Sequence, residues 1–338
     1  MAKFGIVIAA YNAEGSLSRA INSLHAQTEA DWQLAIVDDG SSDATYALAQ
    51  EYAQGDTRIS LLQQENKGAA AARNAGFQLL DSPWITYLDA DDELEQSYIQ
   101  DMLDLVSEYP GYDFYACNAL KVNAVGQMQQ FREQDAPREI SFSEMLQKCV
   151  ITGAGTLQKA KTFEQLGGFD EALFSYAEDY CYFLHAMAEG KSLFSSDKAL
   201  YRYHFSCDEK SNSQHMYGKI NVINCLEKIE QSKDMTREER NSLQLGIVWQ
   251  KGGLFRDYWL ADPEEREEIL SDKQLDNNLR ETLRNSRRAQ CVSFPDLFRS
   301  QLMRKLGRRK GQVTWTILSW PYKGIKSFFQ PARSRHLL

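Results

Sequence analysis

What this sequence lacks removes several classes of function at once. No GxGxxG follows the first apolar run, where Ala10-Tyr11-Asn12-Ala13-Glu14 stands instead, and this excludes a dinucleotide-dependent oxidoreductase. A nucleotide-sugar pyrophosphorylase is disfavoured too, since the same loop is neither Gly-rich nor basic. The six cysteines (Cys117, Cys149, Cys181, Cys207, Cys225, Cys291) form no CxxC or other metal-like spacing, so they read as reduced thiols of a cytosolic compartment. Nowhere do eighteen apolar residues run together, so no spanning helix is expected. Met1-Ala2-Lys3 leads into a short apolar run broken by Tyr11-Asn12, which does not read as a secretory leader. There is no internal repeat and no low-complexity stretch.

Excess basic charge is lacking too, since 47 Asp/Glu outnumber 38 Lys/Arg. The net charge of −9 argues against a nucleic-acid binder, which needs a cationic surface to displace counterions. The exception is the C-terminus. From Arg299 onward there are ten Lys/Arg and no Asp/Glu, interleaved with Trp315, Trp320, Tyr322, Phe328 and Phe329. Basic residues mixed with interfacial aromatics suit an anionic membrane surface, while Val313–Trp320 is too short to cross it.

At 338 residues the chain can bury one large core and append a smaller one. Apolar runs at Phe4–Ala10, Trp32–Val37, Ile59–Gln63 and Trp84–Leu88 predict strands. Helical patterns at Leu17–Gln27, from a Ser41-Ser42-Asp43 cap to about Tyr52, and at Gly68–Leu80 separate them. Such alternation implies crossover connections and a largely parallel sheet. Ligands bind beyond the carboxyl ends of strands in sheets of this kind. Polar residues stand at those ends: Tyr11-Asn12, Asp38-Asp39, Asn66, and Asp89-Ala90-Asp91.

Further on, Leu94–Ser107 reads as a helix, and Phe114–Val122 with Met128–Phe131 as a hairpin laid over the site. Ser141–Lys148 and Tyr180–Glu189 read as helices, Leu200–Tyr203 as an edge strand, and Ser213 to Arg288 as mostly amphipathic helix.

Asp89-x-Asp91 closing an apolar strand suits a hard divalent cation such as Mn²⁺ or Mg²⁺, which takes carboxylate ligands and lets a diphosphate complete its shell. Helix capping is the competing reading, above all for Asp92 ahead of Glu93-Leu94. Asp179 in Ala177-Glu178-Asp179-Tyr180 opens a helix, so its chemistry alone leaves an N-cap and a general base both open.

The ordered segments Ile6 to Glu14, Val37-Asp38-Asp39-Gly40-Ser41-Ser42-Asp43, Asn66-Lys67-Gly68 with Ala72-Arg73-Asn74-x-Gly76, and Leu88-Asp89-Ala90-Asp91-Asp92 resemble the family 2 glycosyltransferases of GT-A fold. The resemblance resumes at Gly167-Gly168-Phe169-Asp170-Glu171, Glu178-Asp179 and Tyr201-Arg202-Tyr203-His204. It implies an α/β, Rossmann-like, mostly parallel sheet flanked by helices, followed by a helical region. It also implies roles. Asp39 would contact base and ribose, with Ala10 and Asn12 lining that pocket and Glu14 beside it. Asn66 and Arg73 would bind the base or diphosphate side. Asp89 would meet ribose or metal, and Asp91 would be the principal metal ligand. Asp179 would be the base, supported by Glu178. Gly168 and Asp92 would flank the donor sugar and acceptor. Arg202 would face the diphosphate, His204 would join the metal ligands, and Ser211 and Ser213 would belong to a closing flap.

The expected organisation is a catalytic domain over 1–215, divided into a nucleotide-binding half (1–95) and an acceptor-side half (96–215). A helical region (216–298) and the basic aromatic tail (299–338) follow. The expected reaction is metal-dependent, inverting transfer of a hexosyl or N-acetylhexosaminyl group from a nucleotide-sugar, with UDP favoured. The acceptor would be a glycan or lipid-linked hydroxyl in cell-surface polysaccharide synthesis, at the inner face of the plasma membrane. The helices after Ser213 could join copies of the chain. The alternative from another class is a glycan- or partner-binding module that keeps the fold with weak activity.

Overall fold

The computed structural model describes residues 3–285, apart from 124, 133–135, 148, 174–175, 205–211, 233–234, 262 and 274. Two compact units divide at Asp276/Asn277. In the first, β1 (Phe4–Ala10) is buried at nearly every position, as a strand covered on both faces must be. It pairs in parallel with β2 (Trp32–Asp38) after helix α1 (Leu17–His25). Helix α2 (Thr45–Gly55) leads to β3 (Ile59–Gln63), parallel to β2. Helix α3 (Ala69–Phe77) leads to β4 (Trp84–Tyr87), parallel to β1 on its other side. The four predicted strands therefore share one direction, and their carboxyl ends form one edge.

The second half is mixed in direction. It contains β5 (Glu93–Leu94), α4 (Tyr98–Glu108), β6 (Phe114–Val122), β7 (Met128–Gln130), β8 (Arg138–Ile140) and α5 (Phe142–Gln147). Next come β9 (Leu157–Lys159), α6 (Ala160–Leu166), α7 (Glu178–Ala188) and β10 (Leu193–His204). The sheet runs β3-β2-β1-β4-β9-β6-β10-β5, with β7 added to β6 and β8 to β10.

Three local expectations change here. The hairpin of β6 and β7 exists, but β6 lies inside the sheet between β9 and β10, not over the site. The stretch at 200–203 is not an edge: it ends a twelve-residue strand held by β6 on one side and by β5 and β8 on the other. The fourth helix starts at Tyr98 because Leu94 pairs with Tyr201 as sheet.

Helices α8 (Asn212–Ser232), α9 (Arg237–Leu260) and α10 (Pro263–Ser271) complete the first unit. Thr236 and Glu239 close a reciprocal capping box at the start of α9, satisfying backbone donors that helix geometry leaves open. The second unit is described through α11 (Asn277–Asn285).

Candidate active site

Two loops at the sheet edge are laced together first. The Asp39 N–H donates to Ala10 O at 2.8 Å, joining the ends of β1 and β2. Asn12 adopts a left-handed backbone (φ 49°). Its N–H donates to Ser41 Oγ at 3.0 Å, and its Oδ1 accepts from the Ser42 N–H at 2.9 Å. Glu14 Oε2 accepts from the Ala44 N–H at 2.9 Å. Asn66 is exposed, and its backbone packs so near Gly40 that a Cβ there would lie 2.8 Å from Asn66 N. Ala10, Asn12, Glu14, Asp39 and Asn66 thus gather at one edge.

Asp39 turns its carboxylate toward the next helix. Oδ1 accepts from Gln64 Nε2 at 2.7 Å and the Lys67 N–H at 2.9 Å, and Oδ2 from the Gly68 N–H at 2.8 Å. A carboxylate next to backbone N–H groups at a helix start is favoured by both hydrogen bonding and the helix dipole. The carboxylate so fixes where α3 begins. Gly76 lets that helix lie on the sheet, since a Cβ there would meet Val7 Cγ1 at 2.4 Å.

One turn into α3, Arg73 is nearly buried and joins two carboxylates from distant segments. Nη2 donates to Asp89 Oδ1 at 2.8 Å and Nη1 donates to Glu178. The guanidinium also lies 4.6 Å from the Tyr87 ring and 5.8 Å from the Phe169 ring. Burial disfavours its charge, but Asp89 and Glu178 outweigh this and hold it above its ordinary range. The neighbouring Asn74 grips the following turn: Nδ2 donates to Phe169 O at 3.0 Å, and Oδ1 accepts from the Phe169 N–H at 2.9 Å. Gly168 stands there with φ +78°, beside a cleft of about 580 Å³ lined by Lys67, Asn74, Phe163, Glu164 and Glu171.

Glu178 and Asp179 form the first turn of α7, after Ala177 in a left-handed conformation (φ 61°). Asp179 Oδ1 accepts from the Tyr180 N–H at 2.7 Å. Its carboxyl is pushed up to about 6, first by loss of solvent and then by Glu178, against the pull of Arg73. A carboxylate that protonates near pH 6 has the basicity a general base needs.

Asp89, Asp91 and Asp92 diverge after β4. Asp89 is half-buried on Arg73. Asp91 is exposed, and its carbonyl accepts from Arg19. Asp92 is fully buried, accepting from Tyr201 Oη at 2.5 Å and the His204 N–H at 2.7 Å. Its carboxyl is pushed up to about 8 by burial and then by Asp89 and Asp91. The Tyr203 hydroxyl is raised by burial and by the charges of Asp92, Asp89, Asp91 and Asp179, so these acids share one neighbourhood despite their separation in sequence.

Arg202 and His204 share a strand face, as alternation requires, and that face meets other acids. Arg202 Nε donates to Glu95 Oε1 at 2.6 Å, and Nη1 is 3.8 Å from Glu93. His204 Nε2 lies 2.6 Å from Glu93 Oε1. No group of three His, Cys, Asp or Glu side chains poised to hold a metal occurs among the described residues. The carboxylate oxygens of Asp89 and Asp91 nevertheless fit a hard cation in kind, and their mutual repulsion with Asp92 is what a cation would relieve.

Ser211 and the tail over 299–338 lie outside the described residues, and Ser213 is described only as backbone of α8. Sequence reasoning missed Asn74 as a clamp and Glu93 and Glu95 as partners of β10. Only Asn74 carried a signal. Asparagine is a poor helix former, and one in an Ala-rich helix asks for a hydrogen-bonding reason.

Comparison with known proteins bears directly on this arrangement. The model of the glycosyl transferase family 2 matches residues 5–167. A UDP-Glc:alpha-D-GlcNAc-diphosphoundecaprenol beta-1,3-glucosyltransferase of Escherichia coli is 32% identical over 191 residues, covering 54% of this chain and 69% of that protein. The chain belongs to the glycosyl transferase family 2. The glycosyltransferase GlyA of Streptococcus pneumoniae is 30% identical over 177 residues, covering 48% of this chain, which spans only 25% of that longer protein. Among solved structures, S. aureus TarS 1-349 in complex with UDP superimposes with a TM-score of 0.62 at 17% identity, covering 86% of this chain and 88% of that one. TarS 1-349 in complex with UDP-GlcNAc gives 0.59 at 16% identity over 86% and 89%. At that identity the likeness speaks for the fold, and this family 2 glycosyltransferase has the α/β GT-A architecture.

Proposed function

We propose that this glycosyltransferase moves a sugar from a UDP-sugar to a hydroxyl of a glycan or lipid-linked acceptor, with inversion at the anomeric carbon. The observation that carries this reading is Arg73 held between Asp89 and Glu178, with Asp179 next in sequence. It ties the nucleotide edge of the sheet to a carboxylate of raised basicity. The UDP-sugar named for the Escherichia coli relative, and the UDP and UDP-GlcNAc bound by TarS, support the choice of donor.

In this reading residues 1–215 are the catalytic domain. Ala10, Asn12, Glu14 and Asn66 line the nucleotide side. Asp39 acts there through the start of α3. Asp91 and Asp89 would hold Mn²⁺ or Mg²⁺, which when bound neutralises charge on the departing diphosphate. Arg73 orients Asp89 toward that place and holds Glu178 at the start of α7. Gly168 and the buried Asp92 shape the sugar side, with Ser211 and Ser213 assigned to a closing segment. Arg202 and His204 support the site through Glu95 and Glu93.

Asp179 takes the proton from the acceptor hydroxyl as its oxygen attacks the anomeric carbon on the face opposite the leaving diphosphate. Attack and departure on opposite faces invert the configuration. The undecaprenol-linked substrate named for the relative supports a lipid-linked acceptor. Among the described residues no helix is long and apolar enough to cross a membrane. The basic aromatic segment 299–338 is assigned to contact with the anionic inner membrane surface.

A panel of UDP-sugars incubated with Mn²⁺ and a lipid-linked acceptor tests the reading. Sugar transfer with UDP release, lost in Asp179→Asn, is expected. Transfer at the wild-type rate by that variant overturns it.

A further inference from the structure

Two of the thiols meet across helices. Cys181 lies on α7, two residues beyond Asp179, and Cys225 lies on α8. Cys225 Sγ donates to the Cys181 carbonyl oxygen at 3.6 Å, which brings the two residues together, and each thiol shifts the other's titration. Cys181 is buried whereas Cys225 is half-buried, so oxidants reach the pair from the α8 side. Lys228, one turn along α8, adds a cation near Cys225. The contact sits where α8 already holds the approach to α7, since Asn221 Nδ2 donates to Tyr176 O at 2.8 Å.

The two sulfurs are unequal. The Cys225 thiol is lowered, first by the neighbouring Cys181 and also by Lys228. The Cys181 thiol is raised by Cys225 and by burial. Thiolates are the nucleophiles in sulfur chemistry, so Cys225 is the attacking member. The buried Cys117 is held up to about 12 and stays a thiol.

We propose that Cys225 is an oxidative modification site: a hydroperoxide converts it to a sulfenic acid, and Cys181 resolves this to a disulfide joining α7 to α8. In the first step the Cys225 sulfur attacks a peroxide oxygen and the O–O bond breaks. Sulfur is oxidised, and the departing alkoxide or hydroxide takes a proton. In the second step the Cys181 sulfur attacks the Cys225 sulfur. The S–O bond breaks and hydroxide leaves as water with the Cys181 proton. A dithiol reverses the sequence. The proposal is independent of donor and acceptor identity, so it stands or falls apart from the reading of the reaction.

The experiment treats the reduced full-length chain with hydrogen peroxide, blocks remaining thiols, and maps peptides by mass spectrometry. The expected result is a linked Cys181–Cys225 peptide that dithiothreitol separates. In Cys181→Ser the link disappears and dimedone labels Cys225; in Cys225→Ser no dimedone adduct forms on Cys181. Absence of the linked peptide while other cysteines oxidise overturns the proposal. So does a Cys181→Ser chain whose Cys225 takes no dimedone. Far-ultraviolet circular dichroism shows that each variant is folded, so a negative result counts.

Discussion

The carboxyl of Asp179 rests against the bare Cα of Gly153: a Cβ built at Gly153 would lie 2.0 Å from Asp179 Oδ2 and 2.7 Å from its Cγ. Both contacts are closer than any real Cβ tolerates, so the approach exists only because residue 153 has no side chain. Gly153→Ala should push Asp179 off its position while leaving the nucleotide edge intact. Because a misplacement of this size costs about 100-fold in rate, turnover should fall by that order. UDP affinity, measured by calorimetry, should stay at the wild-type value. A variant that turns over normally would show that the base lies elsewhere.

The basicity of Asp179 gives a pH test. Its folded value, about 6, lies above the ordinary 3.8, so the folded chain holds this proton more tightly than the unfolded chain does. The associated stability is full below the ordinary value and is lost as pH rises through about 6. Activity runs the other way. A base must be ionised, so kcat/KM for the free enzyme should climb through about pH 6 and then level off. Glu178→Gln removes the neighbouring negative charge and should move that limb to lower pH. An unmoved limb would assign it to another group.

Arg73 satisfies Asp89 and Glu178 at once, using two nitrogens of one planar group. Lysine has a single point of charge and cannot do both. Arg73→Ala leaves Glu178 buried without its partner, a loss of roughly 3–5 kcal/mol where one member of a buried pair is removed. The melting temperature should drop in Arg73→Ala, and it should recover in Arg73→Ala combined with Glu178→Leu, which removes the stranded charge. Transfer should be absent from both. Recovery of melting temperature without recovery of transfer separates the fold's use of Arg73 from the reaction's use of it.

The parallel half of this fold was legible because each strand is an apolar run bounded by polar residues, and each crossover helix has its own period. Asp39, Asp89 and Asp91 were legible for the same reason: they stand where such runs end. What escaped notice depends on partners far away in sequence. Glu93-Leu94 is sheet only because Tyr201-Arg202 lies beside it, more than a hundred residues on. Nothing local announces a two-residue strand. Alternation put Arg202 and His204 on one face, but which acid they would meet was decided by β5, which was not foreseen. The close approach of Gly153 to Asp179 is a property of packing between α7 and the loop before β9.

Asn74 supplies the last test, because it holds the Gly168-Phe169 turn by both backbone groups of Phe169 while donating also to Glu171 Oε1 at 2.9 Å. Asn74→Ala removes all three bonds. Asn74→Asp keeps an acceptor for the Phe169 N–H but points a second carboxylate oxygen at the Phe169 carbonyl and at Glu171. Unpaired like charges repel, so the aspartate variant should be the more impaired of the two, although it is nearly isosteric. In the proposed reading the turn borders the sugar side, whereas UDP sits at the ends of β1 and β2. Affinity for UDP should therefore be unchanged in both variants, and KM for the UDP-sugar should rise, alanine less than aspartate. If UDP binding weakens in parallel with the sugar nucleotide, Asn74 acts on the whole of α3, and its grip on the turn is not what the reaction uses.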